Sequence, residues 1–302
     1  MGHITCSSHS GNLLMKSMVS ADDLVPLKMV LNLFKEPRNE QLLIPDGGTR
    51  LKNPTDVRFN SSRDAILSLV ENLPRLRRIS PRDEDEIPDY IVDLLLDPEF
   101  EVSLQPMLAT LTPICIFVNM CQGLDRNVAD AVDGWLSLRI PANSPGAYDN
   151  LLRLRIERAI QPLGYLAYFL HPFYQGIGLD GYQIQMADDY VRATFDADVI
   201  NEYDDYMDHM NGFEDYVNRT NSPQAYWILL AQHFPHLSRI ATTLIVTPAL
   251  TTIVEGLFSA WKYVQSYIRN RPSTRTSRNF MNIYYLRRHV VMRYPNARYD
   301  QG

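Results

Sequence analysis

Apolar residues recur with the 3.6-residue period of an α-helix along nearly every long segment of the sequence, and this pattern limits the fold more than any other feature. Two clear apolar stripes consist of Leu24, Leu27, Val30, Leu31 and Phe34, and of Ile66, Leu67, Leu69, Val70, Leu73 and Leu76. Segment 41–60 differs, because an Asp46-Gly47-Gly48 turn between short apolar runs predicts a hairpin or a loop. We therefore expect a mainly α fold with at most one hairpin.

Local motifs predict where several helices begin. Ser144-Pro145, Ser222-Pro223 and Thr247-Pro248 each place an N-cap hydroxyl before a proline in the first helical turn. Ser61 and Asp64 have the spacing of a capping box, in which Asp64 reaches back to the start of the helix. Each motif predicts the first turn of a helix.

The composition is that of an ordinary globular protein. The 302 residues suffice for one large or two average domains, and the contents of hydrophobic (45%) and charged (21%) residues argue against wholesale disorder. Cys6, Cys115 and Cys121 are odd in number, which favours a reducing compartment. No secretory signal is apparent, and the apolar stretch 107–120 is too short for a bilayer and predicts a buried core helix. We expect an intracellular protein that is not secreted and has no membrane partner.

Opposite charges are concentrated in two parts of the chain. Segment 180–217 has eleven acidic residues against one arginine, and segment 256–302 has nine basic residues against one aspartate. The nine basic residues are Lys262, Arg269, Arg271, Arg275, Arg278, Arg287, Arg288, Arg293 and Arg298. Two interpretations stay open: the basic segment contacts a polyanion, or it pairs with the acidic segment of the same chain.

Segment 223–271 contains a series of motifs in a definite order. They are Trp227, Phe234-Pro235-x-Leu237, Glu255-x-x-Phe258-Ser259 and Arg269-Asn270-Arg271. The series resembles the C-terminal dimerisation region of the hAT-family transposases. Two positions depart from the family pattern, since Gly256 stands where the family has Arg and Pro272 where it has Leu.

Three upstream segments resemble the same family, in family order. They are Cys6-x-x-His9, Arg58-Phe59-Asn60-Ser61 and Ala167-x-x-Leu170-His171-Pro172-x-Tyr174. The resemblance implies a ribonuclease-H-like core remnant with the CxxH motif and the hairpin or loop (1–60), a helical insertion region (61–221) and a dimerisation region (222–302). The implied fold is mainly α, with the helical insertion domain beside the C-terminal helices of a split, incomplete ribonuclease-H-like core.

The resemblance also implies an incomplete catalytic site. Family members cut DNA with two divalent metal ions, Mg²⁺, held on three acidic residues of that core. Glu255 matches the third acid, whereas the two aspartates belong before the CxxH motif, where residues 1–5 contain no acid. We therefore expect a truncated or domesticated protein that is not an enzyme and has no cofactor of its own. Glu255 is then a relic metal ligand, which binds Mg²⁺ only if the missing acids are supplied, or an ordinary surface glutamate.

Further roles follow for individual residues. The DNA-binding residues are Arg58, Phe59, Arg269, Arg271, Arg275 and Arg278, the dimerisation residues are Leu257, Phe258 and Trp261, and the structural residues are Cys6, His9 and Trp227. Phe59 replaces the family's Trp and either stacks on a flipped base or fills the core. Apolar residues within 240–264 cover more of the helical circumference than two helices can bury, which predicts a homodimer or higher oligomer. We expect DNA as a further partner, no small-molecule substrate, and nuclear localisation in a eukaryotic host.

Two other functions stay open. Asp204-Asp205-x-x-Asp208 spells the DDxxD motif of class I terpenoid synthases, which are all-α enzymes that hold Mg²⁺ against a diphosphate. The second metal motif of those enzymes is missing from the sequence. The other alternative is a helical protein-interaction scaffold without DNA binding.

Overall fold

A computed structural model describes residues 5–55, 60–80, 87–123, 125–142, 144–209 and 222–249. Thirteen α-helices and no β-strand lie within these ranges, which confirms the mainly α prediction. The helices are α1 (Ser7–Met18), α2 (Val25–Phe34), α3 (Pro37–Leu43), α4 (Ser61–Ile79), α5 (Asp89–Leu96), α6 (Pro98–Cys121), α7 (Val128–Ser137), α8 (Ala147–Ala159), α9 (Pro162–Leu170), α10 (Gly181–Thr194), α11 (Ala197–His209), α12 (Pro223–Leu230) and α13 (Pro235–Val246). The predicted site residues outside the described ranges are Arg58, Phe59, Glu255, Leu257, Phe258, Trp261, Arg269, Arg271, Arg275 and Arg278.

Helix α6 is the central element among the first eight helices, because α1, α4, α5 and α7 all pack against it. Gly11 brings α1 close to α6, since a Cβ atom at this position would lie 2.5 Å from Val118 Cγ2. The ring of Trp135 on α7 lies 4.4 Å from that of Phe117, and its Nε1 donates to Ser7 Oγ at 3.3 Å. This hydrophobic core continues into buried residues of α9 to α13.

The predicted core helix 107–120 lies within α6 and is buried on one side. Leu111, Cys115 and Val118 are fully buried, whereas Ile116 is 64% exposed. Among the described residues, α6 is the helix long and apolar enough to cross a membrane, with 44% of its most apolar window buried in the protein. Its packing against four other helices is that of a core helix.

The predicted helix start at Ser222 is confirmed, because its Oγ accepts a hydrogen bond from Ala225 N at 3.1 Å. Two unpredicted capping boxes begin other helices. They are formed by Asn127 with Asp130 at α7 and by Asp180 with Gln183 at α10. The helix predicted after Thr247-Pro248 lies outside the described residues.

The side-chain caps predicted at Ser61 and Ser144 are wrong, because both hydroxyls bind elsewhere. Ser61 Oγ donates to the carbonyl oxygen of Thr55 at 2.7 Å, and Asp64 pairs with a neighbouring arginine instead of reaching back. Ser144 Oγ lies 3.1 Å from Thr110 Oγ1 on α6, and α8 begins only at residue 147. Contacts outside the predicted helix therefore take both hydroxyls, one with the preceding loop and one with α6.

The hairpin predicted in segment 41–60 is wrong for the described residues, where the alternative prediction of a loop holds. Helix α3 extends to residue 43, Gly47 adopts a left-handed φ of 80° in the next turn, and residues 48–55 have no regular structure. Thr49 N donates to Asn72 Oδ1 at 2.9 Å, and Lys52 N donates to Ser68 Oγ at 3.0 Å. Because α4 side chains accept these backbone hydrogen bonds, the extended segment needs no partner strand.

Candidate functional site

Trp227 packs directly on the end of α9, where the Ala167-x-x-Leu170-His171 motif lies. Trp227 is fully buried, and its Nε1 donates to the carbonyl oxygen of Leu170, 57 positions earlier, at 2.7 Å. The ring of Tyr206 on α11 lies 5.1 Å from Trp227 and 5.7 Å from Phe234. Two family-like motifs that are far apart in sequence therefore share one buried aromatic cluster.

A glutamate of the acidic segment caps α13 from another helix. Glu202 Oε2 accepts hydrogen bonds from His236 N at 2.9 Å and from Leu237 N at 2.7 Å. These amides belong to the first turn of α13, where backbone donors lack partners within the helix and the helix dipole favours a carboxylate. Glu202 thus positions the aromatic-Pro-x-Leu motif.

His171 follows Leu170 and belongs to a buried polar cluster. It is 3% exposed and stacks on Tyr174, with 4.4 Å between ring centroids. Tyr174 Oη donates to Asp130 Oδ1 at 2.7 Å, and Asp130 Oδ2 accepts from Asn127 N at 2.8 Å. Both carboxylate oxygens therefore have donors, and the cluster joins α9 to the N-terminal cap of α7.

The protonation states in this cluster follow from burial. Desolvation lowers the pKa of His171 to about 4, and the charge of Asp130 opposes this shift only in part. The imidazole is therefore neutral at pH 7. Desolvation, together with the hydrogen bond to Asp130, raises the pKa of Tyr174. Tyr174 satisfies Asp130 by donating to it, while the neutral His171 stacks on Tyr174 and accepts from Phe173 N at 3.4 Å.

The CxxH motif lies at the start of α1. Cys6 is the half-buried N-cap residue, and His9 is exposed in the first turn. Burial raises the pKa of Cys115 to about 11 and that of Cys121 to about 12, so both stay protonated thiols, which are poor metal ligands. No group of three or more His, Cys, Asp or Glu side chains within the described ranges could hold a metal ion.

The DDxxD motif takes part in ion pairing on the protein surface. Asp204 Oδ1 lies 2.8 Å from Arg192 Nη2, and Asp188 Oδ2 lies 3.0 Å from Arg192 Nε. Hydrogen bonds to Asp188 and then to Asp204 raise the pKa of Arg192. Asp204 thus links α11 to α10 through an arginine, which competes with a role as a Mg²⁺ ligand.

A cavity of about 390 Å³ lies at the start of α4. Lys16 from α1, Lys28 from α2 and the hydroxyl residue Ser62 line it, and no acidic residue is among its described lining residues. Thr55, which also lines it, immediately precedes the segment 56–59 that contains the predicted DNA-binding residues Arg58 and Phe59. The cavity therefore favours an anion over a cation.

No protein-family model matches the sequence, and no curated protein matches it significantly. The assignment to the hAT family therefore stays a resemblance carried by the motifs. Of the motif residues within the described ranges, Trp227, Leu170 and His171 lie together, whereas Cys6 and His9 lie at the start of α1.

Sequence reasoning missed Glu202 and the cluster of Asp130, His171 and Tyr174. The Asn127-x-x-Asp130 pattern is that of a capping box, so the first turn of α7 was readable from sequence. The cap supplied by Glu202 has no local pattern, because its acceptor is 34 positions before His236.

Proposed function

We propose that this chain is a catalytically incomplete hAT-transposase-like protein that self-associates and contacts DNA. In this proposal, segments 1–60 and 222–302 derive from a split ribonuclease-H-like core, and 61–221 is the helical insertion region. The contact between Trp227 and Leu170 is the observation that carries the proposal. It joins the motifs that contain Leu170 and Trp227, both of which resemble the family pattern, in one buried cluster. Such a contact is expected if the two motifs form a structural unit.

Self-association is assigned to segment 222–302, with Leu257, Phe258 and Trp261 as the contact residues. Large aromatic side chains contribute most of the binding energy in many interfaces. Light scattering after size exclusion, at tens of micromolar protein, should show a dimer or larger species. A strictly monomeric protein at roughly this concentration contradicts self-association, because even a micromolar dimer would be visible.

Contact with DNA is assigned to Arg58, Phe59 and the C-terminal arginines. The lysine-lined cavity that Thr55 and Ser62 help to line supports the assignment, because its charge suits a phosphate. Asp188, Glu202 and Asp204 already have partners in the fold, which leaves fewer acids to pair with those arginines. A DNA-contacting role implies nuclear localisation in a eukaryotic host.

A mobility shift over a range of salt concentrations tests this contact. If Arg269, Arg271, Arg275, Arg278, Arg287 and Arg288 bind phosphates, the log–log slope of affinity against salt should be about −5. Changing Arg275 and Arg278 to Gln should flatten the slope by about 2, whereas changing the ion-paired Arg153 to Gln should leave it unchanged. A missing or salt-insensitive shift favours the alternative function, a helical interaction scaffold whose arginines pair internally. Arg192 with Asp188 and Asp204 is an example of such pairing.

The proposed absence of catalysis has its own test. Because one carboxylate cannot position two metal ions, purified protein should not nick DNA in the presence of Mg²⁺ or Mn²⁺. Metal-dependent nicking that is lost in Glu255→Gln would show that other acids complete the site.

A further inference from the structure

The outer face of α6 is an apolar surface without a charge. No charged residue occurs from Val102 to Cys121, although Val102 is 59% exposed and Ile116 is 64% exposed. Exposed residues of this face recur at Val102, Gln105, Ala109 and Ile116, which is one stripe of a helix. An uncharged stripe of this length on a surface helix is typical of a contact with another protein segment.

Two grooves meet beside this stripe. The first, called the α6 groove, has a volume of about 510 Å³ and is lined by Leu108, Pro113, Ile116 and Ile140 among others. The second, called the α8 groove, has a volume of about 650 Å³, and Leu138, Leu152, Ile156 and Met186 form its apolar lining. Arg139 lines both grooves. The two grooves therefore form one tract joined at Arg139, which is uncharged along α6 and bordered in the α8 groove by Asp149, Arg153, Glu157 and Asp180.

Arg139 is oriented by the backbone and has no acidic partner among the described residues. Its Nη1 donates to the carbonyl oxygens of Leu136 at 2.6 Å and of Leu138 at 3.0 Å. The nearby Glu157 pairs with Arg153 at 2.7 Å, and Asp180 caps α10. No carboxylate of the described ranges, Asp149 of the α8 groove included, lies within 4.0 Å of Arg139. Because Glu157 and Asp180 are engaged elsewhere, Arg139 favours an apolar segment that supplies a carboxylate of its own.

We infer that the tract is the docking surface for segment 250–264 of a second copy of this chain, with the Glu255 carboxylate on Arg139. This inference rests on the proposed self-association. It names the surface of one copy that segment 250–264 of the other copy contacts. Segment 250–264 is largely apolar and contains one acid, Glu255, and one base, Lys262. A carboxylate in an apolar contact needs a countercharge, and Arg139 supplies a guanidinium already fixed in orientation.

The position at which the segment leaves the described residues favours a second copy over the same chain. Ala249 N donates to the carbonyl oxygen of Arg126 at 3.2 Å, before α7, whereas Arg139 follows α7. The 10 residues of α7 span about 15 Å, while a helix would place Glu255 about 9 Å from Ala249. To reach Arg139 in the same chain, the segment would run along α7, where α6, α9 and α13 already pack.

Charge reversal in the full chain tests the inference. Sedimentation equilibrium of Arg139→Glu and of Glu255→Arg should each show association weakened about tenfold or more. The double variant should restore association to within about threefold of the wild type, since the pair is re-formed with opposite polarity. Arg158→Glu changes an exposed arginine outside both grooves by the same charge and should leave association unchanged.

A second variant removes apolar contact without changing charge. Ile116→Ser alters an exposed side chain and should also weaken association, with circular dichroism unchanged. Association that is insensitive to Arg139→Glu, Glu255→Arg and Ile116→Ser overturns the inference and leaves the proposed function intact. A monomeric wild type overturns both.

A lipid surface is the competing occupant of the apolar stripe. Flotation with neutral phosphatidylcholine vesicles should leave the wild-type protein unbound. Vesicle binding that is lost in Ile116→Ser would overturn docking of the segment and assign the stripe to a membrane.

Discussion

The region around α6 and the region from α9 to α13 are both helical, but different interactions hold them together. Around α6, helices meet through apolar side chains at close approach, as where Gly11 faces Val118, and also through the Trp135 ring, whose Nε1 donates to Ser7 Oγ. From α9 to α13, buried rings carry hydrogen-bonding groups, as Trp227 does with the Leu170 carbonyl and Tyr206 with Tyr226 at 3.3 Å.

This difference determines how each region should respond to substitution. Apolar packing depends on volume and tolerates swaps of similar size. A buried donor or acceptor depends on its partner, because leaving one unpaired costs about 1–3 kcal/mol in addition to lost packing. The α9 to α13 region should therefore be sensitive to side-chain chemistry and to pH, and the α6 region to shape.

The largest effect is expected at Trp227. Trp227→Ala should lower the free energy of unfolding by about 3–5 kcal/mol, because it empties a fully buried site and leaves the Leu170 carbonyl unpaired. Trp227→Phe should recover part of this loss but not the hydrogen bond. Urea unfolding followed by circular dichroism measures both. Equal stability of the Phe variant and the wild type would remove the distinction between the two regions.

Acid should destabilise the α9 to α13 region through His171. Its pKa is about 4 in the fold against 6.5 in the unfolded chain, so the unfolded state binds more protons between these values. The neutral imidazole contributes on the order of 3 kcal/mol to the free energy of unfolding above pH 6.5. This contribution is lost as the pH falls through 4. Between pH 6.5 and 4, the free energy of unfolding should fall more steeply for the wild type than for His171→Phe, which lacks the titrating group. The same slope in both proteins contradicts the assignment, and His236→Asn, at an exposed position, is the control.

At the contact between α1 and α6, steric fit should outweigh helix propensity in determining the effect of a substitution on stability. Helix propensity alone favours Ala over Gly by about 1 kcal/mol, yet Gly11→Ala places Cβ 2.5 Å from Val118 Cγ2. We expect a net loss of about 1–3 kcal/mol in the free energy of unfolding. In a Val118→Ala background the same change should be neutral or stabilising. Gly181→Ala, in the first turn of α10 where a Cβ meets nothing within 4 Å, should gain about 0.4–1 kcal/mol.

The smallest effect is expected for the cap supplied by Glu202. Glu202→Ala should cost about 1 kcal/mol, because two amides of α13 lose their acceptor. Glu202→Gln keeps an acceptor oxygen and should cost less. Glu157→Ala, which breaks an exposed pair with Arg153, should stay within about 0.5 kcal/mol of the wild type in thermal unfolding. Equal costs at Glu202 and Glu157 would argue against a cap.

What could be read from the sequence depended on how far each interaction reaches along the chain. The helical period and the Ser222 cap are local, and both were predicted. Ser61 and Ser144 have the same local chemistry, but Thr55 and Thr110 engage their hydroxyls. The candidate site shows the same difference between local motifs and contacts that are distant in sequence. The motifs marked Trp227 as structural, whereas its Leu170 partner and the Glu202 cap arise only when distant helices pack.

The backbone hydrogen bonds of residues 247–249, which follow α13, have a consequence for synthesis on the ribosome. Ser7 N donates to the carbonyl oxygen of Ala249 at 3.5 Å, and Val128 N donates to that of Thr247 at 3.0 Å. The backbone N–H of Ser7 therefore acquires this acceptor only after some 240 further residues have been made. At about 5–20 residues per second, this takes tens of seconds at the slower rates. During translation, Ser7 N thus stays without this acceptor well after α6 and Trp135, other partners of α1, have been made.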